Sequence, residues 1–476
     1  MGCLCSKQKK VGNKHKKSID TYVNKNNTKP DQTVNTYTNK DLILKVEENN
    51  NPKYENLQTE TMELSPPEEQ NQVKSTSFNK ELCKSIANSL PKRPQTTLQS
   101  LKDTMKSKTN NLSDFEKSYI LFLWICDNIA YDTKSFFAGT DVDCSPEGVF
   151  QNGSSVCSGY SRLFNDIGSY IGLDIENVVC YAKGVGYEPG QIMNETNHEY
   201  NVVKINNKWY PIDSTWGAGH VDKQDFIKSY NEFYFMADPE LLIKTHFPAD
   251  DKWQLTKRKY TFEEFLRWPL IKHFFFKYGF TNFSPEEGLI NLSNTNHQKF
   301  IIYGENMDQK AAMSSVYLLN GNTYCQKLNS SMENFYNDRF EVDCIFNQKG
   351  KYKVQIFANI DKGKKNHDMI LEYMVNVQNN AIQQLAFPTT FKGHEEINII
   401  EPLYDNLRQG QPVKFKIESK LDEIIIIDGE WHHLNKNQNG YFEFDTVIKT
   451  QRGNNVNIGK KNGMNGCDSL VSYKVI

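Results

Sequence analysis

The sequence predicts a mixed domain of helices and a β-hairpin, followed by two β-sandwich modules. Three observations predict it. After Gly153 the apolar residues recur with helical spacing. Two β-rich runs meet at Asn206-Asn207. Beyond Tyr260, short β-rich runs alternate with Gly and Asn turns.

In the helical stretch, Val156, Tyr160, Leu163, Phe164, Ile167, Tyr170 and Ile171 mark one face of an α-helix. Ser154 or Ser155 is placed to cap its start, and Gly172 follows its end. Cys157 then sits in the first turn, where unpaired N–H groups and the helix dipole favour an anion. The thiolate is the reactive form of cysteine, and such a setting lowers a thiol pKa from about 8.5 toward neutrality. Taken alone, a cysteine here is also a small core residue. Cys126, Cys180, Cys325 and Cys344 lie in apolar or strand-like runs and are read as core.

The hairpin runs HEYNVVKI and KWYPIDST flank Asn206-Asn207. Asparagine tolerates positive φ, so a two-residue turn is expected. Ile205 then faces Lys208, Val203 faces Tyr210 and Tyr200 faces Asp213. His198 shares the parity of Tyr200 and so shares a face with Asp213, about 7–8 Å away as a diagonal neighbour. A loop of odd length would reverse that parity. Cysteine, histidine and aspartate in this order suggest a nucleophile, its base and the group that orients the base. Asp213 also reads as an N-cap before Ser214-Thr215, and His198 as an ordinary strand histidine.

Five segments resemble the transglutaminase-like core of the papain-type superfamily, and most closely its kyphoscoliosis-peptidase branch. They are LFLWICDNIAYD (121–132), GSSVCSGYSRLF (153–164), YAKGVGYEPGQ (181–191), TNHEYNVVKINNKWYPIDSTWGAG (196–219) and FYFMADPELLIKTHFPADDKWQL (233–255). The resemblance implies an α+β fold in which the nucleophile's helix packs on an antiparallel sheet. It implies catalytic roles for Cys157, His198 and Asp213, and immunoglobulin-like modules after the core. The family usually has small-aromatic-Asn after the histidine; here it is Glu199-Tyr200-Asn201. A carboxylate beside the thiolate would disfavour the anion, but the register puts Glu199 on the other face from His198.

With 476 residues there is room for several domains, and a net charge of −2 gives no sign of nucleic-acid binding. Ten cysteines without a repeating spacing, and no secretory signal, point to reduced thiols in the cytosol. No CxxC pair, HExxH or Cys/His cluster suggests a metal, and no phosphate loop suggests a nucleotide, so no cofactor is expected. No apolar run approaches a membrane span.

The N-terminus still points to a membrane. MGCLCS fits the myristoylation pattern at Gly2, with Cys3 and Cys5 as palmitoylation candidates. Lys7, Lys9, Lys10, Lys14, Lys16 and Lys17 add a basic patch for anionic lipid. Residues 18–77 hold no Phe or Trp and read as a disordered tether.

The expected organisation is therefore an anchor and basic segment over 1–17, a tether over 18–77, the transglutaminase-like domain over 78–258, and β-sandwich modules over 259–380 and 381–476. Within the first domain, Leu98, Leu101 and Met105 suggest a helix. Ser113 and Glu116 form a capping box that opens an apolar helix to about Ile129. The stretch from Phe226 to Trp253 reads as mixed helix and loop.

The expected function is a membrane-anchored thiol peptidase or transglutaminase-like enzyme acting on protein amide bonds at the cytosolic face. Its partners would be a protein substrate or a cytoskeletal protein, and the inner leaflet. The alternative is a silent scaffold that keeps the fold and links membrane to cytoskeleton. A peptide N-glycanase-like amidase ranks below both, because the zinc-binding cysteines such enzymes usually carry are missing.

Overall fold

The computed structural model describes residues 78–476, apart from 322, 329, 362–365, 380–382 and 464–465. The lipidation expectations at Gly2, Cys3 and Cys5, the basic segment and the tether lie outside the described residues.

Three helices build the base of the first domain. α1 (Lys80–Ser89) starts at Asn79, whose side chain accepts from the Leu82 N–H. α2 (Leu98–Thr109) buries Leu98, Leu101 and Met105. α3 (Asp114–Asn128) opens on the expected capping box: Ser113 Oγ accepts from the Glu116 N–H, and Glu116 Oε2 accepts from the Ser113 N–H at 2.9 Å. Tyr119, Ile120, Leu121, Phe122, Trp124 and Ile125 are all buried, so α3 is apolar nearly all round and sits centrally. Each such side chain stabilises the fold by about 1.5–3 kcal/mol.

The approach to the cysteine is built from short pieces. β1 (Ala130–Tyr131) leads to α4 (Thr133–Ala138) and α5 (Pro146–Asn152). α5 ends at Gly153 with φ of 66°, a left-handed cap that glycine adopts without strain. The Arg93 guanidinium lies against Gly153 and donates to the Phe150 and Gln151 carbonyls at 2.9 Å each. β2 (Ser154–Ser155) then pairs in parallel with β1. This corrects the capping expectation. Ser154 and Ser155 are strand residues, and the N-cap of the next helix is Val156, with no side-chain cap.

That helix is α6 (Cys157–Tyr170), with Tyr160, Leu163, Phe164 and Ile167 fully buried. It packs on β3 (Asp174–Ala182) and β4 (His198–Ile205). β5 (Lys208–Ile212) follows, then α7 (Ser214–Ala218) and a ribbon of β6 (Gly219–Asp222) and β7 (Asp225–Lys228). After α8 (Pro239–Leu242) comes β8 (His246–Pro248), which pairs antiparallel with the end of β3. The sheet order is β5-β4-β3-β8. β8 is a strand within the stretch expected to be helix and loop. The fold is α+β, with the cysteine's helix on an antiparallel sheet.

α9 (Phe262–Arg267) leads out of this domain. Lys183, just past β3 and fully buried, donates to the Phe265 and Trp268 carbonyls at 2.6 and 2.9 Å. Glu188 pairs with Lys351 at 3.3 Å and Lys353 at 3.1 Å. Both contacts tie the loop after β3 to segments much later in the chain.

Two sheets share each later core. In the first module, strands Phe280–Ser284, His297–Gly304, Arg339–Ile345 and Ser331–Phe335 form one sheet. Leu289–Leu292, Asp368–Val377, Gly350–Asn359, Ala311–Asn320 and Thr323–Leu328 form the other, joined at one edge by Leu270–Ile271. Phe300, Val342, Val354, Ile356 and Tyr373 lie between them. In the second module, Ile397–Glu401, Pro412–Ser419 and Tyr441–Val447 oppose a five-stranded sheet running from Thr389–Thr390 to Trp431–Asn435. Phe415, Ile417, Ile424, Ile426 and Tyr473 fill that core. The β-rich runs beyond Tyr260, among them KFIIYG (299–304), GKYKVQIFA (350–358), PVKFKIES (412–419) and EIIIIDG (423–429), fall on these strands. Among the described residues no helix is long and apolar enough to cross a membrane.

Candidate active site

The hairpin forms with the expected register. Asn206 and Asn207 take φ of 49° and 63°, the left-handed pair that a type I′ turn requires. Ile205 faces Lys208, Val203 faces Tyr210 and Asn201 faces Ile212. The chain then leaves the strand at Asp213, which becomes the N-cap of α7.

Both readings of Asp213 hold at once, one on each oxygen. Oδ1 accepts from the backbone N–H groups of Thr215 and Trp216 at 2.9 and 3.0 Å. Oδ2 meets Nε2 of His198 at 2.7 Å and Nε2 of His246 at 3.1 Å. The carboxylate is buried. Burial alone would raise its pKa, but His198 and then His246 outweigh that and hold it well below the usual carboxylate range. An ionised carboxylate only accepts, so both Nε2 atoms carry their protons. His198 is thereby left with Nδ1 as the ring nitrogen that is not spent on Asp213.

Sequence reasoning missed His246. It stands on β8, where it pairs across the sheet with Ala182. Its ring packs edge-on to Trp216 at 4.4 Å and to His198 at 5.2 Å. Nδ1 lies 2.8 Å from Thr245 Oγ1. Burial pushes the His246 pKa down, with Asp213 opposing and His198 adding to the fall. Its signal in the sequence was its place within the resembling segment 233–255, in the short run Thr-His-Phe-Pro. Nothing in its spacing linked it to residues 198 and 213.

Cys157 is the first residue of α6 and is 1% exposed. The next residue, Ser158, has its Oγ 3.3 Å from the Cys144 thiol, which is also buried. The connection to Asp213 runs through packed elements. α7 lies against both α6 and α3, and the Asp213 charge is near enough to Tyr160 of α6 to help burial raise that phenol. Cys83, Cys126, Cys144, Cys157, Cys180, Cys344 and Cys467 are free thiols.

Glu199 has the parity expected of it, opposite to His198, and that face is the one on which α6 lies. Its Oε1 accepts from Ser161 Oγ at 2.9 Å and Asn177 Nδ2 at 3.0 Å. Asn201 joins the same seam, donating to the Ser161 carbonyl at 3.0 Å and to Asn177 Oδ1 at 3.2 Å. Ser161 is one helical turn beyond Cys157, about 5.4 Å along the axis. Glu199 is thus held by two neutral donors, one on the helix's second turn and one on β3.

Among the described residues, His198, Asp213 and His246 are the group whose donor atoms lie close enough for a metal, within 4.8 Å of one another. Their geometry is that of hydrogen bonding. Two protonated nitrogens address one oxygen, and the other oxygen is committed to backbone N–H groups.

Comparison with known proteins agrees with this architecture. Residues 99–214 match the model of the transglutaminase-like superfamily. Residues 262–388 match the model of the KY-like, immunoglobulin-like domain. The chain is 30% identical over 283 residues to kyphoscoliosis peptidase of Mus musculus, covering 57% of this chain and 41% of that protein. It is 27% identical over 335 residues to the Homo sapiens protein of the same name, covering 67% of this chain and 48% of that one. Hillarin of Drosophila melanogaster is 28% identical over 181 residues, 35% of this chain and 22% of its own length. The chain thus spans less than half the length of each of these relatives.

Proposed function

We propose, for a chain that joins a transglutaminase-like domain to a KY-like immunoglobulin-like domain, that Cys157, His198 and Asp213 are the nucleophile, base and orienting carboxylate of a thiol enzyme acting on protein amide bonds. The observation that carries this reading is the buried 2.7 Å bond from His198 Nε2 to Asp213 Oδ2. It fixes the imidazole tautomer and leaves Nδ1 for the thiol. Cys157 Sγ attacks the amide carbonyl carbon and its proton passes to His198. The amine leaves with that proton, and a thioester remains on Cys157. Water resolves it in a peptidase; a second amine resolves it in a transglutaminase. The name peptidase, borne by the mouse and human relatives, favours water.

At neutral pH Cys157 is expected to react with low iodoacetamide much faster than the buried Cys126 and Cys344, read by mass spectrometry of peptides. An equal or slower rate sinks the activated thiolate. Release of peptide and incorporation of an amine donor, each compared with Cys157→Ala, separate the two outcomes of the thioester.

One observation favours a second reading, in which the domain is a silent scaffold: Cys157 is only 1% exposed. The absence of any Cys157-dependent signal in both assays supports the scaffold.

The proposed place of work is the cytosolic face of a membrane, through acylation at Gly2 with Cys3 and Cys5 and through the lysines that follow. Gly2→Ala is expected to move the protein from the membrane pellet to the soluble fraction. Unchanged pelleting removes the anchor from the proposal.

A further inference from the structure

The active-site reading uses three side chains, yet the geometry gives Asp213 a fourth neighbour with no assigned part. We propose that His246 is a positioning residue for this site: its Nε2–H holds Asp213 Oδ2, the oxygen that the backbone clamp on Oδ1 leaves, and so sets the direction and basicity of the carboxylate that His198 leans on. This rests on the thiol-enzyme reading above and deepens it.

The proton positions follow from the surroundings. Asp213 is ionised and only accepts, so His246 Nε2 carries a proton. Burial keeps the ring neutral, so Nδ1 carries none and accepts from Thr245 Oγ1 at 2.8 Å. Thr245 therefore points its single proton at His246 rather than at the Leu242 carbonyl, which is farther at 3.2 Å. The result is a relay of fixed direction, Thr245 to His246 to Asp213, entering the carboxylate from β8.

The ring has nowhere else to go. Trp216, His198 and Tyr200 pack against it at 4.4, 5.2 and 5.9 Å between ring centres. The void beside it, bounded by Tyr200, Leu242 and Ile243, is about 10 Å³, far too small for an imidazole to swing into. The titratable groups that face it are Asp213 at the end of the hairpin, His198 and Tyr200 on β4, and Tyr234 at 6.2 Å. Burial holds the Tyr200 and Tyr234 phenols well above their usual range, and Asp213 is ionised.

The chemical consequence has a sign. A second N–H on Oδ2 draws charge from the oxygen that His198 uses. The carboxylate then supports a His198 imidazolium less strongly than it would alone, and the pH range of the thiolate–imidazolium pair moves down. Without His246, Oδ2 is more basic and less well aimed. His198 holds its proton to higher pH, and the carboxylate wanders about its backbone cap.

The test is the pH profile of Cys157 alkylation by iodoacetamide in the full chain, which needs no substrate. His246→Leu is expected to displace the profile by a fraction of a unit or more and to lower the plateau rate about tenfold, the worth of one hydrogen bond to a charged group. His246→Gln, whose amide N–H reaches where Nε2–H was, is expected to restore the wild-type profile. Profiles that coincide for wild type, Leu and Gln overturn the proposal while leaving the enzyme reading intact. A wild-type Cys157 no faster than the buried thiols defeats the enzyme reading instead.

A second measurement needs no variant to fold. In wild-type protein labelled with ¹⁵N-histidine, the His246 nitrogens are expected to show protonated Nε2 and bare Nδ1, unchanged from pH 5 to 9. A cationic ring or the opposite tautomer in that range overturns the proposal.

Discussion

Asp213→Asn is expected to lower any Cys157-dependent turnover by about 10⁴-fold while the domain stays folded, as loss of the orienting carboxylate does in comparable triads. The reason lies in the two ends of the side chain. Thr215 and Trp216 present backbone N–H groups to Oδ1, and these have no alternative proton state. The asparagine carbonyl must stay with them. Its NH₂ then faces both imidazoles, and each must give up its Nε2 proton. His198 moves its proton to Nδ1 and is no longer a base toward the thiol. His246 survives the same change, since Nδ1–H can donate to Thr245.

Asp213→Ala loses the cap as well, and with it about 1 kcal/mol of stability, plus about 1–3 kcal/mol for buried donors left without an acceptor. Urea denaturation and turnover measured together separate the two variants: Asn fails in activity alone, Ala in both. An active Asp213→Asn protein defeats the tautomer argument. The acid limb has a sign too. The folded pKa of Asp213 is depressed, so its contribution to stability is present above about pH 4, the unfolded carboxyl value, and is lost as pH falls below it. Asp213→Ala is expected to show a shallower loss below pH 4 than wild type.

The second large effect comes from packing. Gly159→Ala is expected to destabilise the first domain by about 1–3 kcal/mol, as overpacking of a filled core does. A methyl at this position would stand 2.0 Å from Ser155 Oγ, 2.6 Å from Ser155 Cβ and 2.8 Å from Val149 Cγ2. The hydroxyl of Ser155 can rotate, but its Cβ cannot move, because β2 is tied to β1. The start of α6 must therefore lift, carrying Cys157 with it, and a misplacement of about 1 Å at a reacting atom costs about 100-fold in rate. Thermal denaturation and Cys157 alkylation should fall together. Ser155→Gly placed in the same chain removes the two closest of these atoms, leaving Val149 Cγ2 at 2.8 Å, and is expected to recover most of the loss. Losses that simply add in the double variant would show that the collision is not the cause.

Much of this site could be read before any coordinates. A two-residue Asn-Asn loop has even length, so strand alternation alone placed His198 and Asp213 on one face. Helical spacing alone placed Cys157 at a helix start. These are local properties, carried by neighbours in sequence. The misses are of another kind. Ser154 and Ser155 look like caps, and only the parallel pairing with Ala130 and Tyr131 makes them strand. β8 has three residues, two of them His and Pro, and no period can be measured over so short a run. His246 enters the site only through the pairing of β8 with β3, which no local pattern encodes. The edge strands Trp431–Asn435 and Ser331–Phe335 are hard to read from sequence because their polar, half-exposed residues carry little of the apolar signal that marks central strands.

The arrival of β8 from so far along the chain also decides where this protein can be cut. The stretch that matches the transglutaminase-like superfamily stops at residue 214. A fragment ending there would keep Cys157, His198 and Asp213, yet lose α7, which Asp213 caps, as well as His246 and the strand that covers the edge of β3. Extending it only through β8 would still leave the Lys183 amine buried without the Phe265 and Trp268 carbonyls that receive its hydrogens. The smallest piece expected to express as a sound unit therefore runs past Trp268, into what the sequence alone presents as the next module. In this chain the seam between modules is set by where a buried lysine finds its acceptors, and a boundary drawn from similarity falls some fifty residues short of it.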